Sequence, residues 1–222
     1  NSTVYSLDQF KDNVDYLFSS SNDRYINIYK LNKKDYKYKL IQKLTKERNG
    51  GGEINKVIAL TNKFLVTGDH ATITIWKPKD NIDNNNDLQY FDFYQHITNK
   101  DTCHLLEVNP NYFVATQYSN GGTIQLYKND GQNFPKMGEI IKAISHGKSS
   151  NGLAKINDNL FCCANLLNFY VYNVEPFQLI QKVNIINDKG HYGKCFYCIY
   201  VSNKKYIYCK DSNFIYCYEI LY

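Results

Sequence analysis

Residues 64–76 read Phe-Leu-Val-Thr-Gly-Asp-His-Ala-Thr-Ile-Thr-Ile-Trp. The first four are apolar or β-branched, and the next four are turn-like. The last five alternate, with Ile73 and Ile75 on one face and Thr74 and Trp76 on the other. Period-two alternation after a short turn predicts a β-hairpin. The same pattern returns at 16–19 with 25–29, 113–116 with 123–127, 160–163 with 169–172, and 206–209 with 214–218. The aromatics that close these hairpins, Tyr29, Trp76, Tyr127, Tyr172 and Tyr218, lie 47, 51, 45 and 46 residues apart. A repeat of this length predicts an array of like supersecondary units.

Each hairpin is flanked by one further strand on either side. The spacing predicts first strands over 3–7, 54–58, 104–108, 153–156 and 195–201, and last strands over 40–44, 90–94, 138–143 and 179–183. The units span about 1–45, 52–97, 102–143, 149–185 and 193–222, and the last one lacks its fourth strand. Residues 30–39 read as a basic loop, with Lys33, Lys34 and Lys37. Residues 49–52 (Asn-Gly-Gly-Gly) read as a flexible connection, and the Asn-rich stretch 81–87 as a polar loop. Asn120-Gly121-Gly122 is a hairpin-turn signal, because these residues accept positive φ. The second strands, such as Leu65-Val66 and Leu160-Phe161-Cys162-Cys163, are apolar without alternation. Sheets covered on both faces produce that pattern. The expected fold is therefore all-β: a β-propeller of four-stranded antiparallel blades, with five units visible and a larger ring expected.

Composition changes this picture little. The chain has 222 residues, 43% hydrophobic and 21% charged, with 21 Tyr and 12 Phe. That is ordinary for a globular chain. A net charge of +5 is mildly basic and weaker than that of a dedicated nucleic-acid binder. No apolar run approaches the roughly 18 residues of a membrane-spanning helix. Seven cysteines without a secreted-scaffold spacing are expected to be reduced thiols in an intracellular protein, cytoplasmic or alternatively nuclear.

Candidate chemistry is sparse. Cys195 and Cys198 form a C-x-x-C, but on a strand residues three apart point to opposite faces. Adjacent Cys162 and Cys163 diverge for the same reason, so all of these are expected to be buried hydrophobes. Gly147-Lys148-Ser149 resembles part of a phosphate-binding loop, yet Lys142 stands where that loop needs glycine. Ser145, Ser149 and Ser150 beside His146 lack an orienting third group for nucleophilic catalysis. Asp80, Asp83 and Asp87 lack the Gly and Glu of a calcium loop. No catalytic residue, metal or cofactor is expected, and no enzymatic activity.

The repeats resemble those of WD-repeat β-propellers over nearly the whole chain. Trp76 fits the Trp place of that family, with Lys77 where Asp would stand, and Tyr29, Tyr127, Tyr172 and Tyr218 replace Trp elsewhere. Gly190-His191 fits the Gly-His place of the fifth unit, and Gln95-His96 and Ser145-His146 sit in similar places in the third and fourth. Asp23 fits the turn Asp of the first unit, while the second has His70 at that spacing. The resemblance implies a non-enzymatic scaffold for protein–protein interaction within a multiprotein assembly. A nucleic-acid-associated propeller is the alternative, motivated by the positive charge. Partners of such propellers dock on the end that carries the turns between second and third strands. Here that end would gather Arg24, Arg48, Asp69, His70, Asn120, His146, Lys148, His191 and Tyr192, with Arg24, His70 and Tyr192 the principal anchors.

Overall fold

A computed structural model describes residues 3–45, 53–79, 90–98, 102–117, 123–131, 133–140, 152–164, 168–184, 197–202, 206–210 and 215–219. Within these the chain is all strand, turn and loop. The first sheet contains β1 (Val4–Gln9), β2 (Tyr16–Ser21), β3 (Tyr25–Asn32) and β4 (Lys37–Thr45). The second contains β5 (Lys56–Ala59), β6 (Leu65–Gly68), β7 (Thr72–Pro78) and β8 (Phe91–Thr98). The third contains β9 (Thr102–Asn109), β10 (Tyr112–Gln117), β11 (Ile124–Lys128) and β12 (Lys136–Ile140). The fourth contains β13 (Gly152–Lys155), β14 (Leu160–Ala164), β15 (Asn168–Asn173) and β16 (Gln178–Asn184). The fifth contains β17 (Tyr197–Ser202), β18 (Tyr206–Lys210) and β19 (Ile215–Glu219). Each sheet is a meander in chain order, four-stranded in the first four and three-stranded among the described residues of the last.

The five closing aromatics occupy one place in their hairpins. Leu17 pairs with Tyr29, Leu65 with Trp76, Phe113 with Tyr127, Phe161 with Tyr172 and Ile207 with Tyr218. The 45-to-51-residue spacing is thus a repeat of strand register, not only of composition.

Three boundaries differ from the sequence expectation. The basic loop is shorter, because Lys30, Leu31 and Asn32 pair with Lys39, Tyr38 and Lys37 and leave only residues 33–36 as the turn. The apolar residues between these lysines favour a pleated ribbon over an open loop. The last strand of the second sheet runs on to Thr98, so His96 lies on β8 opposite Thr74 rather than ahead of the third unit's first strand. The last strand of the third sheet sits earlier, at Lys136–Ile140.

Two compact units divide the chain, Asn1–Leu105 and Leu106–Tyr222. In the first, the facing sides of sheets one and two share a core of Phe10, Phe18, Ile26 and Ile28 with Val57, Leu65, Trp76 and Phe91. Phe10 packs edge-on against Phe18, their ring centroids 4.9 Å apart. Side chains also join backbone across the two sheets. Asp8 Oδ2 accepts the Ala59 N–H at 2.8 Å, and the Ser6 hydroxyl donates to the Val57 carbonyl at 3.3 Å. At the far strands, the Gln42 amide closes a two-way bridge with Phe91, donating to its carbonyl at 2.8 Å and accepting its N–H at 2.9 Å.

In the second unit, β14 shows why its run is apolar throughout. Cys162 packs with Ile156, Phe169 and Val171 on one face. Cys163 packs on the other with Val114, Leu126, Tyr170 and Tyr172. The two thiols diverge as strand geometry requires, and both faces of the fourth sheet are covered.

Candidate functional site

The turn joining β2 to β3 is built by short polar side chains. The Ser21 hydroxyl accepts the Asp23 N–H at 3.3 Å, and Asp23 Oδ1 accepts the Tyr25 N–H at 3.1 Å. This tight closure puts Arg24 at φ 68°, in the left-handed region, with its side chain exposed. A residue with a Cβ is uncommon there, and Asn or Gly would fit at lower cost.

The turn joining β6 to β7 closes differently. Asp69 Oδ1 accepts the N–H groups of Ala71 at 2.6 Å and Thr72 at 2.8 Å, and Oδ2 accepts the Thr72 hydroxyl at 3.2 Å. The Asp69 carbonyl also receives the Thr102 N–H at 3.0 Å. Asp69 is only 3% exposed, so its carboxylate shapes the turn and is not presented to a partner. That corrects its expected place among docking residues: an Asp that accepts three local donors is drawn inward by them. It fills the turn-acid role one residue before the place anticipated from spacing, and His70 beside it is exposed.

Both turns lie on the same end of their sheets. Val4 pairs with Ser21 next to the first turn, and Lys56 pairs with Gly68 next to the second. Between them, the Tyr5 hydroxyl donates to Glu53 Oε2 at 2.6 Å, which holds the Tyr5 proton above the usual phenol range. Tyr25 adds a ring that is 37% exposed, with the Lys43 ammonium 5.5 Å from its centroid. The end therefore presents Arg24, His70, Lys43, Tyr5 and Tyr25. Such a set of cations and amphipathic rings suits a protein interface, and it places no nucleophile beside a base. Tyr5, Tyr25 and Lys43 were not singled out from sequence; the Tyr that directly follows Arg24 was the available signal. Of the expected set, Arg24, Asp69 and His70 fall among the described residues. Arg48, Asn120, His146, Lys148, His191 and Tyr192 lie outside them, as do the Gly190-His191 and Ser145-His146 pairs.

Gly68 fixes how closely β6 can be approached. A Cβ there would stand 2.5 Å from Thr102 Cγ2 and 2.9 Å from Thr102 Cβ. The second sheet is also braced internally. Trp76 Nε1–H donates to Thr67 Oγ1 at 3.0 Å, the Thr67 hydroxyl reaches the Thr74 carbonyl at 3.4 Å, and Thr74 Oγ1 stands 3.1 Å from His96 Nδ1. These side chains stabilise the hairpin that carries His70.

A separate titratable group lies on the first strands of three sheets. Burial raises the Asp8 carboxyl above the usual carboxylate range and lowers the Lys56 ammonium. Burial, reinforced by the nearby Lys56 charge, lowers His104 to about 4.

No family model matches the sequence, and no curated protein matches it. Solved structures do resemble it. Sqt1 from Chaetomium thermophilum aligns over 100% of this chain and 58% of its own, with TM-score 0.75 and 12% identity. Sqt1 from Saccharomyces cerevisiae aligns over 94% and 56%, with TM-score 0.72 and 11% identity. A protein from Lactobacillus plantarum aligns over 92% and 64%, with TM-score 0.72 and 13% identity. The fold is thus propeller-like, built of four-stranded antiparallel sheets. The chain spans about 56–64% of the length of these structures.

Proposed function

We propose that this chain is a non-enzymatic scaffold of the WD-repeat type that binds a protein segment at the turn-bearing end of its first two sheets, as a subunit of a larger assembly. The observation that carries the proposal is Arg24. It is exposed, held at φ 68°, and occupies a turn position where glycine would relieve the strain. A strained residue of this kind persists where its side chain has a task, and here it stands on the same end as His70, Tyr5 and Tyr25. Arg and Tyr anchor interfaces well because each offers large contact area and directed polar atoms. Seven cysteines without the spacing of a secreted scaffold support an intracellular location, cytoplasmic or nuclear.

The test begins with co-purification and mass spectrometry to obtain the principal partner. Its affinity is then measured for the natural chain and for a variant carrying Arg24→Gly and His70→Ala. Glycine at position 24 relieves the backbone, so the variant should melt at the same temperature or slightly higher. Affinity should fall at least about tenfold, roughly 1.4 kcal/mol. Unchanged affinity with unchanged folding overturns the assignment of this end.

A further inference from the structure

The other end of the first sheet carries a different surface. Below the β3–β4 turn lies an open groove of about 360 Å³, with Lys30, Lys33 and Lys39 around Leu31 and Ile41 and Asp15 on one wall. Positions 30–39 carry five lysines and one aspartate, and Asp15 adds one carboxylate to the groove wall, so positive charge is in excess. Lys39 Nζ is 3.9 Å from Asp35, with both side chains exposed, and a pair of that kind exchanges readily for an incoming carboxylate. Lys33 Nζ sits 2.7 Å from the mostly buried Asp15, but its own side chain is 74% exposed and keeps ammonium donors facing water for a second carboxylate.

Two further features point to what lies in this groove. First, β4 ends the strand order of its sheet, and no strand pairs with its outer edge among the described residues. Residues 37–40 on that strand are exposed. A free strand edge offers backbone donors and acceptors at the spacing of another extended chain. Second, the turn tip holds Tyr36 at φ 52° with the residue 82% exposed. The Asn32 side chain accepts the Lys34 N–H at 3.0 Å and the Asp35 side chain accepts the Lys37 N–H at 3.3 Å, so the tip is ordered around this strained aromatic. A bulky residue in the left-handed region is a genuine outlier.

We propose that the outer edge of β4 binds an extended acidic segment of a partner protein, whose side chains reach from that edge over β4 into this groove. Its Asp or Glu side chains meet Lys30, Lys33 and Lys39. An aliphatic side chain between them rests on Ile41, and the Tyr36 ring flanks the segment at the turn. The strand edge favours a peptide over a nucleic acid, because a peptide both donates to and accepts from a row of alternating N–H and C=O groups, whereas a phosphodiester can only accept. The aliphatic part of the lining favours an aliphatic side chain over a phosphate. This site is independent of the Arg24 end, because it uses a different surface at the other end of the first sheet.

Fluorescence anisotropy with the intact chain tests it. The probes are a labelled ten-residue peptide alternating Glu with Val, the same peptide with Lys for Glu, and a ten-nucleotide oligouridine. The Glu-Val peptide should bind at least tenfold more tightly than the Lys-Val peptide. Raising salt from about 50 to 300 mM should weaken it several-fold through screening. The double variant Lys33→Glu/Lys39→Glu should weaken it at least tenfold, and Lys33→Gln/Lys39→Gln at least threefold. Both substituted sites are exposed, and a thermal melt confirms that the variants fold. N-methylation of alternate amides in the Glu-Val peptide should cost at least threefold by blocking the strand edge, while Arg24→Gly should leave binding unchanged. Equal affinity for the two peptides, or insensitivity to the lysine variants, overturns the proposal. Oligouridine binding more tightly than the peptide, and lost in the same variants, also overturns it and makes the groove a nucleic-acid site.

Discussion

Trp76 in the second sheet and Tyr172 in the fourth occupy the same place in their hairpins, yet they are held by different forces. Trp76 is secured by a polar chain, its indole N–H donating to Thr67 and Thr74 in turn standing beside His96. Tyr172 is secured by aromatic packing. It stacks on Phe161 with centroids 5.4 Å apart and planes 19° apart, and lies 6.3 Å from both Tyr170 and Phe177. Among the described residues its buried hydroxyl has no hydrogen-bond partner. Tyr127 in the third sheet combines the two, stacking on Phe113 at 5.0 Å while its hydroxyl donates to Gln125 at 2.6 Å. The closing position therefore demands a large planar side chain in register with the second strand. A hydrogen-bonded brace is one way to hold it and stacking is another. This accounts for repeats that keep their period while the polar residues around the closing aromatic differ from sheet to sheet.

Acid should separate the two regions most. His104 belongs to the first unit, and its folded value of about 4 lies below the ordinary 6.5. A depressed value contributes stability that is fully present above pH 6.5 and is lost as pH falls toward 4, by roughly 2–3 kcal/mol. The stack around Tyr172 has no such titration: burial pushes the Tyr172 phenol up, away from this window. Urea unfolding at pH 7 and pH 4.5 should show this loss, and His104→Gln should reduce it to a small residue. An equal pH slope in the variant would assign the loss to other groups.

Breaking the brace comes next in size. Thr67→Val keeps the shape but leaves the buried Trp76 N–H without its acceptor, at a cost of about 2 kcal/mol. In a Trp76→Phe background that donor is gone, so the same substitution should cost less than about 1 kcal/mol. The four denaturation midpoints form a double-mutant cycle, and additive costs would show that the brace carries no energy.

The smallest effect should have the opposite sign. Tyr172→Phe removes a buried hydroxyl that finds no partner among the described residues and keeps the stacked ring. Stability should be unchanged or rise by up to about 1 kcal/mol. A clear loss in the melting temperature would show that the hydroxyl is satisfied after all.

Local alternation made the hairpins legible. Side-chain direction along a strand is set by the pleat, so Ile73 and Ile75 against Thr74 and Trp76 could be read without knowing any neighbour. The repeat of closing aromatics and the opposite faces of Cys162 and Cys163 follow from the same local rule. The turn residues were less legible. Spacing placed His70 in the second turn, where the structure has it, but it could not show that Asp69 turns inward, because that depends on which backbone N–H groups the turn brings within reach.

By itself, then, the sequence determined an all-β array of antiparallel hairpins with a repeat of 45 to 51 residues and sheets apolar on both faces. Tertiary structure alone decided what those sheets meet. It set the close approach of Thr102 that only a glycine at position 68 permits, and it put His96 opposite Thr74 through the register of β8. It also gathered the lysines of β3 and β4 around Leu31 and Ile41. The physical reason is range. Alternation is fixed within a few residues by backbone geometry. The partners of a face or an edge are fixed by strands some 20 to 50 positions away, whose register depends on loops that the period does not constrain.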